Sequence, residues 1–227
     1  MVDVLSFSTS VCVAVERGMR VFPYQWKGLR AEAFARERDA VLAIGRLEST
    51  LLESPSALSL SPAALLTEPT VPQLVLPSPN GSTITTHLEG SGAQVVAGCL
   101  RNSAAVADVM AAGLERGDSV AVIAAGERWR DDDSLRPALE DHLGAGSVLS
   151  ALSGLGYRDI MSPEAAAAAD LFDVVRPRLT QVLHECVGAR ELKAMGFGSD
   201  VDVAASLDAS QVVPILVDGA FEAASAG

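Results

Sequence analysis

The stretch Leu74-Val75-Leu76-Pro77-Ser78-Pro79-Asn80-Gly81-Ser82-Thr83 decides the fold, because an apolar run gives way at once to a polar turn. An apolar run that stops at Asn-Gly predicts a buried strand followed by a turn. The amides and hydroxyls of Asn80, Gly81 and Ser82 are suited to surround an anion at the end of that strand. A purely structural turn has the same composition, and this alternative stays open.

The opening of the chain repeats the pattern. Val2-Asp3-Val4-Leu5 predicts a short strand with one acid, and the next five residues, 6–10, bring hydroxyls to the start of a predicted helix. The Asp3 carboxylate would then lie beside the positive end of a helix dipole, with Ser8 and Thr9 as candidate donors to an anion. The simpler alternative makes Ser8 or Thr9 a helix N-cap and Asp3 a solvated acid.

A third predicted strand, residues 119–125, is followed by a helix that carries the adjacent acids Glu140 and Asp141. Acids in such an apolar helix are costly to bury unless a cation, a cleft or hydrogen-bond donors face them. Glu140 and Asp141 are therefore candidate metal ligands. Neighbouring helix positions point about 100° apart, so one of the two is expected to face the site, and a solvated helix surface is the alternative.

Segments with strand character alternate with helical segments along the whole chain. Strands are predicted at 2–5, 20–23, 41–44, 74–76, 93–98, 119–125 and 212–217, and helices at 10–17, 30–38, 82–89, 103–116, 135–155, 163–175, 179–186, 191–195 and 200–206. This alternation predicts an α/β fold, layered α/β/α around a mostly parallel or mixed sheet. We expect one domain over residues 1–227, with two lobes as a variant, and a loop-rich region at 45–73.

Composition narrows the function classes. The 227 residues are 49% hydrophobic and carry a net charge of −12, which is typical of a soluble globular protein and argues against nucleic acid as a partner. No apolar run reaches the roughly 18 residues of a membrane span, and no signal peptide is recognisable, so a cytoplasmic location is expected. Cys12, Cys99 and Cys186 are widely spaced, which favours buried hydrophobes over a zinc site or a disulfide.

Taken in order, these segments resemble the 2-phosphosulfolactate phosphatase family, a group of magnesium-dependent phosphatases. The matching residues are Asp3-Val4-Leu5 with Ser8-Thr9-Ser10, Asn80-Gly81-Ser82, Asn102-Ser103-Ala104-Ala105-Val106-Ala107, Ala125-Gly126-Glu127-Arg128, Glu140-Asp141 with Gly144-Ala145-Gly146, and Gly188-Ala189-Arg190-Glu191-Leu192 through Gly196-Phe197 to Asp200-Val201. Each motif alone is weak. Six of them in the correct order, over nearly the whole chain, are a specific signal.

The resemblance implies Mg²⁺-dependent hydrolysis of a phosphate monoester of a small acidic molecule. Asp3 and Glu140 are then the catalytic residues and metal ligands, and Asp141 is a further ligand or an orienting group. The substrate-binding candidates are Ser8, Thr9, Asn80, Gly81, Ser82, Asn102 and Arg190. Asn102 is expected to be a helix N-cap that lines the same cleft, and Arg190 to bind a carboxylate or sulfonate through its planar fork. A salt bridge with Glu191 or a surface position is the alternative for Arg190.

The chain also departs from the family pattern. Gly45-Arg46-Leu47 and Ser59-Leu60-Ser61-Pro62 stand where the family commonly has Gly-Glu-Arg and Gly-Asn-Ser-Pro, so a carboxylate and an amide are missing. Gly188-Ala189 in place of Ser-Gly removes a hydroxyl near Arg190. The family pattern has additional chain before the first strand, so we expect the natural start to lie upstream of Met1.

Two non-catalytic classes therefore stay open: an anion-binding protein that keeps the fold without activity, and a structural or assembly protein that uses its acidic surface. A small phosphate ester is the expected partner, and a homodimer is compatible with the sequence.

Overall fold

The computed structural model describes residues 1–26, 28–46, 58–129 and 131–224. Its helices are α1 Phe7–Glu16, α2 Leu29–Glu37, α3 Pro62–Thr67, α4 Gly81–Glu89, α5 Ser103–Glu115, α6 Leu139–Leu152, α7 Pro163–Val175, α8 Leu179–Glu185, α9 Val187–Ala194 and α10 Gly198–Ala204. Its strands are β1 Arg20–Tyr24, β2 Val41–Leu42, β3 Gln73–Pro77, β4 Glu127–Arg128, β5 Leu135–Arg136, β6 Pro214–Val217 and β7 Ala220–Ala223. The α/β class is confirmed. Within the described residues, no helix combines the length and apolar character needed to cross a bilayer.

Five strands form a mixed sheet in the order β2-β3-β1-β7-β6. Strands β1, β2 and β3 run parallel, whereas β7 is antiparallel to both β1 and β6. Val21 pairs with Leu74 and faces α1 and α4, while the next pair, Phe22 and Val75, faces α2. Because side chains alternate along a strand, this register gives the sheet two apolar faces, and helices cover both.

The opening residues lie between two other extended segments. Val2 forms parallel bridges to Gly98 on one side and to Ala124 on the other. Its N–H donates to the Ile123 carbonyl at an N···O distance of 2.8 Å. Only this single residue of the predicted strand 2–5 pairs, so that prediction is wrong beyond Val2. The chain turns immediately afterwards and enters α1 at Phe7, three residues before the predicted helix start.

The strands predicted at 93–98 and 119–125 form only isolated bridges at Val96, Gly98 and Ala124, so these two predictions are wrong as extended strands. The sequence also did not predict β4, β5 and β7.

Two other differences have a local cause. The helix predicted at 135–155 begins at Leu139, because Leu135–Arg136 pairs with Glu127–Arg128 as a small hairpin. The region 45–73, predicted as loop, contains α3, which begins with Ser61 as N-cap and Pro62 in the first turn. Ser followed by Pro is a helix-start signal that was present in the sequence.

Helix α6 approaches its neighbours at two glycines. A Cβ atom on Gly144 would lie 2.5 Å from Cγ2 of Val4, and one on Gly146 would lie 2.4 Å from the carbonyl oxygen of Ala168 in α7. Neither position has room for a larger residue without a shift. The Gly144-Ala145-Gly146 motif therefore brings the first turn of α6, with its acids, against the opening segment of the chain.

Candidate active site

A cleft of ≈ 190 Å³ lies where the loop after Asp3, the turn after β3 and the start of α6 meet. Asp3, Asn80 and Glu140 all line it, although they are far apart in sequence. Its polar lining residues are Asp3, Ser6, Ser10, Arg46, Ser78, Asn80, Glu127, Glu140 and Asp141. The fold thus concentrates carboxylates, hydroxyls, one amide and one guanidinium around a common space.

Asp3 is buried at the start of α1. Its Oδ1 accepts the Phe7 N–H at 3.0 Å, which is a contact with the positive end of the helix. Burial raises the pKa of the Asp3 carboxyl to about 6; the Phe7 N–H and the Arg46 guanidinium oppose the rise, and the carboxylates of Glu127 and Glu140 add to it. A cation in the cleft would relieve this accumulation of negative charge.

Asp141 connects two segments that border the cleft. Its Oδ1 accepts the Val4 N–H at 2.7 Å and its Oδ2 accepts the Gly126 N–H at 2.9 Å. Burial raises the pKa of this carboxyl well above its ordinary value, and the nearby Asp3 raises it further. Because both oxygens accept backbone N–H groups, Asp141 is placed to orient the segments that carry Asp3 and Glu127.

Glu140 is buried between the cleft and the start of α9. A Cβ atom on Gly188 would lie 2.3 Å from its Oε1, so the carboxylate rests directly against this glycine. The thiol of Cys186 is also adjacent: burial raises its pKa to about 12, and the Glu140 charge contributes. The Gly188-Ala189 sequence noted as a departure from the family pattern therefore creates the space that Glu140 occupies.

The turn after β3 is tied to the cleft by side chains. The Asn80 amide donates from Nδ2 to Oε1 of Glu127 at 2.8 Å, and Ser78 Oγ accepts the Gly81 N–H at 3.2 Å. A Cβ atom on Gly81 would lie 2.3 Å from Cδ1 of Phe7. Gly81 therefore allows the turn to pack against the first residue of α1, next to Asp3.

With this geometry established, the chain can be compared with known proteins. A family model described as 2-phosphosulpholactate phosphatase matches residues 1–219. The chain belongs to the 2-phosphosulfolactate phosphatase family. Proteins from Thermotoga petrophila and Thermotoga maritima, both named "Probable 2-phosphosulfolactate phosphatase", are 25% and 24% identical to it over 225 residues, which is 97% of this chain and 89% of each relative. The resemblance is confirmed, and as a 2-phosphosulfolactate phosphatase-type protein the chain is a phosphoric monoester hydrolase.

Two hydroxyls of the family's first motif do not reach the cleft. Ser8 Oγ donates to the Asp3 carbonyl at 2.7 Å and accepts the Asp3 N–H at 2.9 Å. Thr9 Oγ1 donates to the Val4 carbonyl at 2.8 Å. Both side chains are fully buried. They satisfy backbone groups of the turn that presents Asp3, whereas the sequence predicted that they would contact substrate.

Two other predicted substrate contacts are also internal. Ser82 Oγ donates to the Leu76 carbonyl at 3.3 Å, and the side chain has no exposed surface. Asn102 accepts the Cys99 N–H at 2.9 Å and donates to the Val212 carbonyl at 3.0 Å, again without exposure. It makes no side-chain cap to the helix that follows. These two residues join neighbouring segments of the fold and lie outside the cleft lining.

The predicted Arg190 is exposed on α9 and lies outside the cleft lining, whereas Arg46 lines it. Arg46 Nε donates to Oδ2 of Asp200 at 2.6 Å, and Nη2 donates to the Ser6 hydroxyl. Sequence reasoning noted Arg46 only as a departure from the family pattern. No local pattern in the sequence identifies it, because its acidic partner Asp200 lies 154 positions further along the chain.

The donor set is compatible with a divalent cation. Within the described ranges, no three His, Cys, Asp or Glu side chains are already arranged around a common metal position. Mg²⁺ commonly keeps several waters and binds through one or two carboxylates plus phosphate oxygens of the substrate. Asp3 and Glu140 supply two carboxylates to the cleft, and burial, together with the neighbouring carboxylates, raises the pKa of Asp3. These residues therefore fit a hydrated Mg²⁺ that the substrate phosphate would complete.

Proposed function

We propose that this chain hydrolyses the phosphate monoester of a small acidic molecule of the 2-phosphosulfolactate type, with Mg²⁺ held by Asp3 and Glu140. The observation that carries the proposal is the convergence of Asp3, Asn80 and Glu140 on one cleft. The names of the two Thermotoga relatives support the substrate class. A cytoplasmic location and a homodimer are further proposals, which cell fractionation and light scattering would test.

The chemistry requires charge neutralisation and positioning, because a phosphoryl dianion must accept a nucleophile while an alkoxide leaves. Bound Mg²⁺ would neutralise charge on the phosphoryl oxygens. Within the cleft, the Asn80 amide and the Ser78 hydroxyl are suited to orient the phosphate, and Asp141 keeps the Asp3 segment in place. An Asp-x-Asp motif is absent at Asp3-Val4-Leu5, so we assign the attack to water.

The direct experiment is phosphate release from 2-phosphosulfolactate and from generic phosphomonoesters, in Mg²⁺ and in EDTA. Release that requires Mg²⁺ and prefers the acidic substrate supports the proposal. Metal-independent release contradicts the role of Mg²⁺. No release from any ester, with sulfolactate still bound, favours the anion-binding protein without activity. Neither release nor binding of phosphate analogues favours the structural or assembly protein.

Replacing Gly188 by Ala is expected to displace Glu140, because the new Cβ would lie 2.3 Å from its Oε1. A shift of about 1 Å in a catalytic group lowers turnover by about 100-fold, so we expect a loss of that order in kcat. Gly198→Ala is the matched control, since its Cβ would make only an ordinary 3.6 Å contact with Lys193. Steady-state kinetics on both variants tests this, and equal activities would show that the position of Glu140 does not matter.

The raised pKa of Asp3 predicts a pH-dependent penalty on the metal-free protein. Its folded value of about 6 exceeds the ordinary 3.8, so the folded state binds more protons between these values and loses stability as the pH rises from about 4 through 6. Asp3→Asn removes this penalty and keeps an acceptor for the Phe7 N–H. In EDTA, we expect the melting temperature of Asp3→Asn minus that of wild type to be larger at pH 7 than at pH 4.5. If the difference in melting temperature did not change with pH, the raised pKa of Asp3 would be contradicted.

A further inference from the structure

We propose that Arg46 recognises the carboxylate of the substrate, and that the buried Asp200 is a positioning residue that holds Arg46 in place. The substrate class rests on the proposed function. The arrangement of Arg46, Asp200 and the cleft does not, and it can be tested by binding alone.

Arg46 is the one Lys or Arg among the described residues that line the cleft. Its side chain is 18% exposed, and its charge is close enough to Asp3 to lower the pKa of that carboxyl against the effect of burial. The guanidinium donates to the Ser6 hydroxyl and lies 6.0 Å from the centre of the Phe197 ring. These contacts hold a planar cation beside the acids of the cleft.

Asp200 has no exposed surface, and its two oxygens have separate partners. Oδ2 accepts from Nε of Arg46 at 2.6 Å. Oδ1 accepts from the Ser61 hydroxyl and from the Ala63 N–H, the latter at 3.2 Å, at the start of α3. A buried carboxylate persists only when such donors compensate its loss of hydration. Oδ2 therefore holds the Arg46 guanidinium, and Oδ1 holds the Asp200 side chain against the start of α3.

The charge of the cleft explains why a substrate needs this cation. Four acids line it, and the whole chain carries a net charge of −12, so an anionic substrate meets a repulsive field. A metal at Asp3 and Glu140 would neutralise the phosphate end only. A carboxylate or sulfonate elsewhere on the substrate needs its own donor, and a guanidinium fork matches the geometry of both groups.

Two substrates that differ in one group separate this role from general catalysis. In isopropyl phosphate, a methyl group replaces the carboxylate of 2-phospholactate. We expect Arg46→Gln to lower kcat/KM for 2-phospholactate by about 10- to 100-fold, the range for losing a charged hydrogen bond, mostly through a higher KM. For isopropyl phosphate the loss in kcat/KM should be at least about tenfold smaller, because only the effect of Arg46 on Asp3 remains. An equal loss on both substrates would overturn the proposal.

Asp200→Asn tests the positioning role. The amide keeps an oxygen for the Ala63 N–H but presents an NH₂ group to Arg46, which removes the ion pair. We expect the same selective rise in KM for 2-phospholactate. The double variant Arg46→Gln/Asp200→Asn should be no worse than Arg46→Gln alone, because Asp200 acts through Arg46. Additive losses would show that Asp200 has an independent, merely structural effect.

Calorimetric binding of sulfolactate, the dephosphorylated form of 2-phosphosulfolactate, keeps the test independent of turnover. We expect Arg46→Gln to weaken this binding by at least about tenfold. Glu16→Gln is the control, because it breaks an ion pair with Arg101 at 3.1 Å outside the cleft. Unchanged binding in Arg46→Gln refutes the proposal. If Arg46→Gln loses binding and the wild type hydrolyses no ester, the phosphatase activity is refuted, but the role of Arg46 in binding is still supported.

Discussion

Replacing Asp3 by Asn is expected to lower Mg²⁺-dependent phosphate release by about 100- to 1,000-fold, the usual range for losing one preorganised electrostatic contact in an active site. The substitution removes a charge from the cleft with almost no change in shape. It also keeps an oxygen for the Phe7 N–H that Asp3 accepts at 3.0 Å. The kcat of purified wild type and variant, measured at saturating Mg²⁺, gives the result directly.

The matched control for this variant is Asp108→Asn, an exposed acid on α5 that lies outside the cleft lining. It removes the same charge from the protein and should leave kcat within about twofold of wild type, because surface charges at a distance are screened. If Asp3→Asn kept the activity of the control, Asp3 would be neither a metal ligand nor a catalytic group, and the proposed mechanism would be wrong.

Replacing Gly144 by Ala is expected to move the start of α6 away from the opening segment of the chain. The new Cβ would lie 2.5 Å from Cγ2 of Val4 and 2.7 Å from Cγ1 of Val2, which are short, buried side chains. We expect a loss of about 1–3 kcal/mol in the free energy of unfolding from this overpacking. Because α6 carries Glu140 and Asp141 away from Asp3, kcat should also fall by about 100-fold.

Gly154→Ala controls for the effect of an added methyl group, since a Cβ there meets no atom within 4 Å. Chemical denaturation should place it within about 0.5 kcal/mol of wild type. If Gly144→Ala lost stability but kept full activity, the distance between α6 and the opening segment would not govern catalysis.

The sequence predicted the acids of the site and Asn80, because polar side chains stand out in the apolar segments around them. Asn80 follows an apolar run, Asp3 stands within one, and Glu140 and Asp141 stand in an otherwise apolar helix, so a cleft, a cation or donors were expected beside them, with a solvated position as the alternative for the acids. The structure places all four on the cleft. For Asp141, the sequence left open whether it binds a metal or orients its neighbours. The answer depends on the backbone N–H groups of Val4 and Gly126, which only the fold brings close to its carboxylate.

The hydroxyl residues were harder to assign. A serine or threonine near a helix start can bond a ligand or the preceding backbone, and the choice depends on how the chain turns just before the helix. The turn after Asp3 directs Ser8 and Thr9 inward, while Ser6 and Ser10 of the same run line the cleft. No periodicity in the sequence distinguishes these two pairs.

Arg46 was missed for a different reason. Its partner Asp200 lies 154 positions further along the chain, so neither local composition nor spacing connects them. The role of Gly188 could not be predicted either, because it depends on contact with the Glu140 carboxylate of another helix. Both positions are departures from the family pattern in their own motifs; Arg46 lines the cleft, and Gly188 lies against Glu140, which lines it.

The central claim is that Asp3 and Glu140 hold one divalent cation at the cleft. It is tested most directly by the anomalous difference map of a crystal grown with Mn²⁺, as a stand-in for Mg²⁺, and with sulfolactate and inorganic phosphate, the two products of the reaction. We predict one strong peak within coordination distance of Asp3 and Glu140 that disappears in Asp3→Asn. A Mn²⁺ peak only elsewhere on the protein, or no peak although phosphate release depends on the metal, would contradict this account.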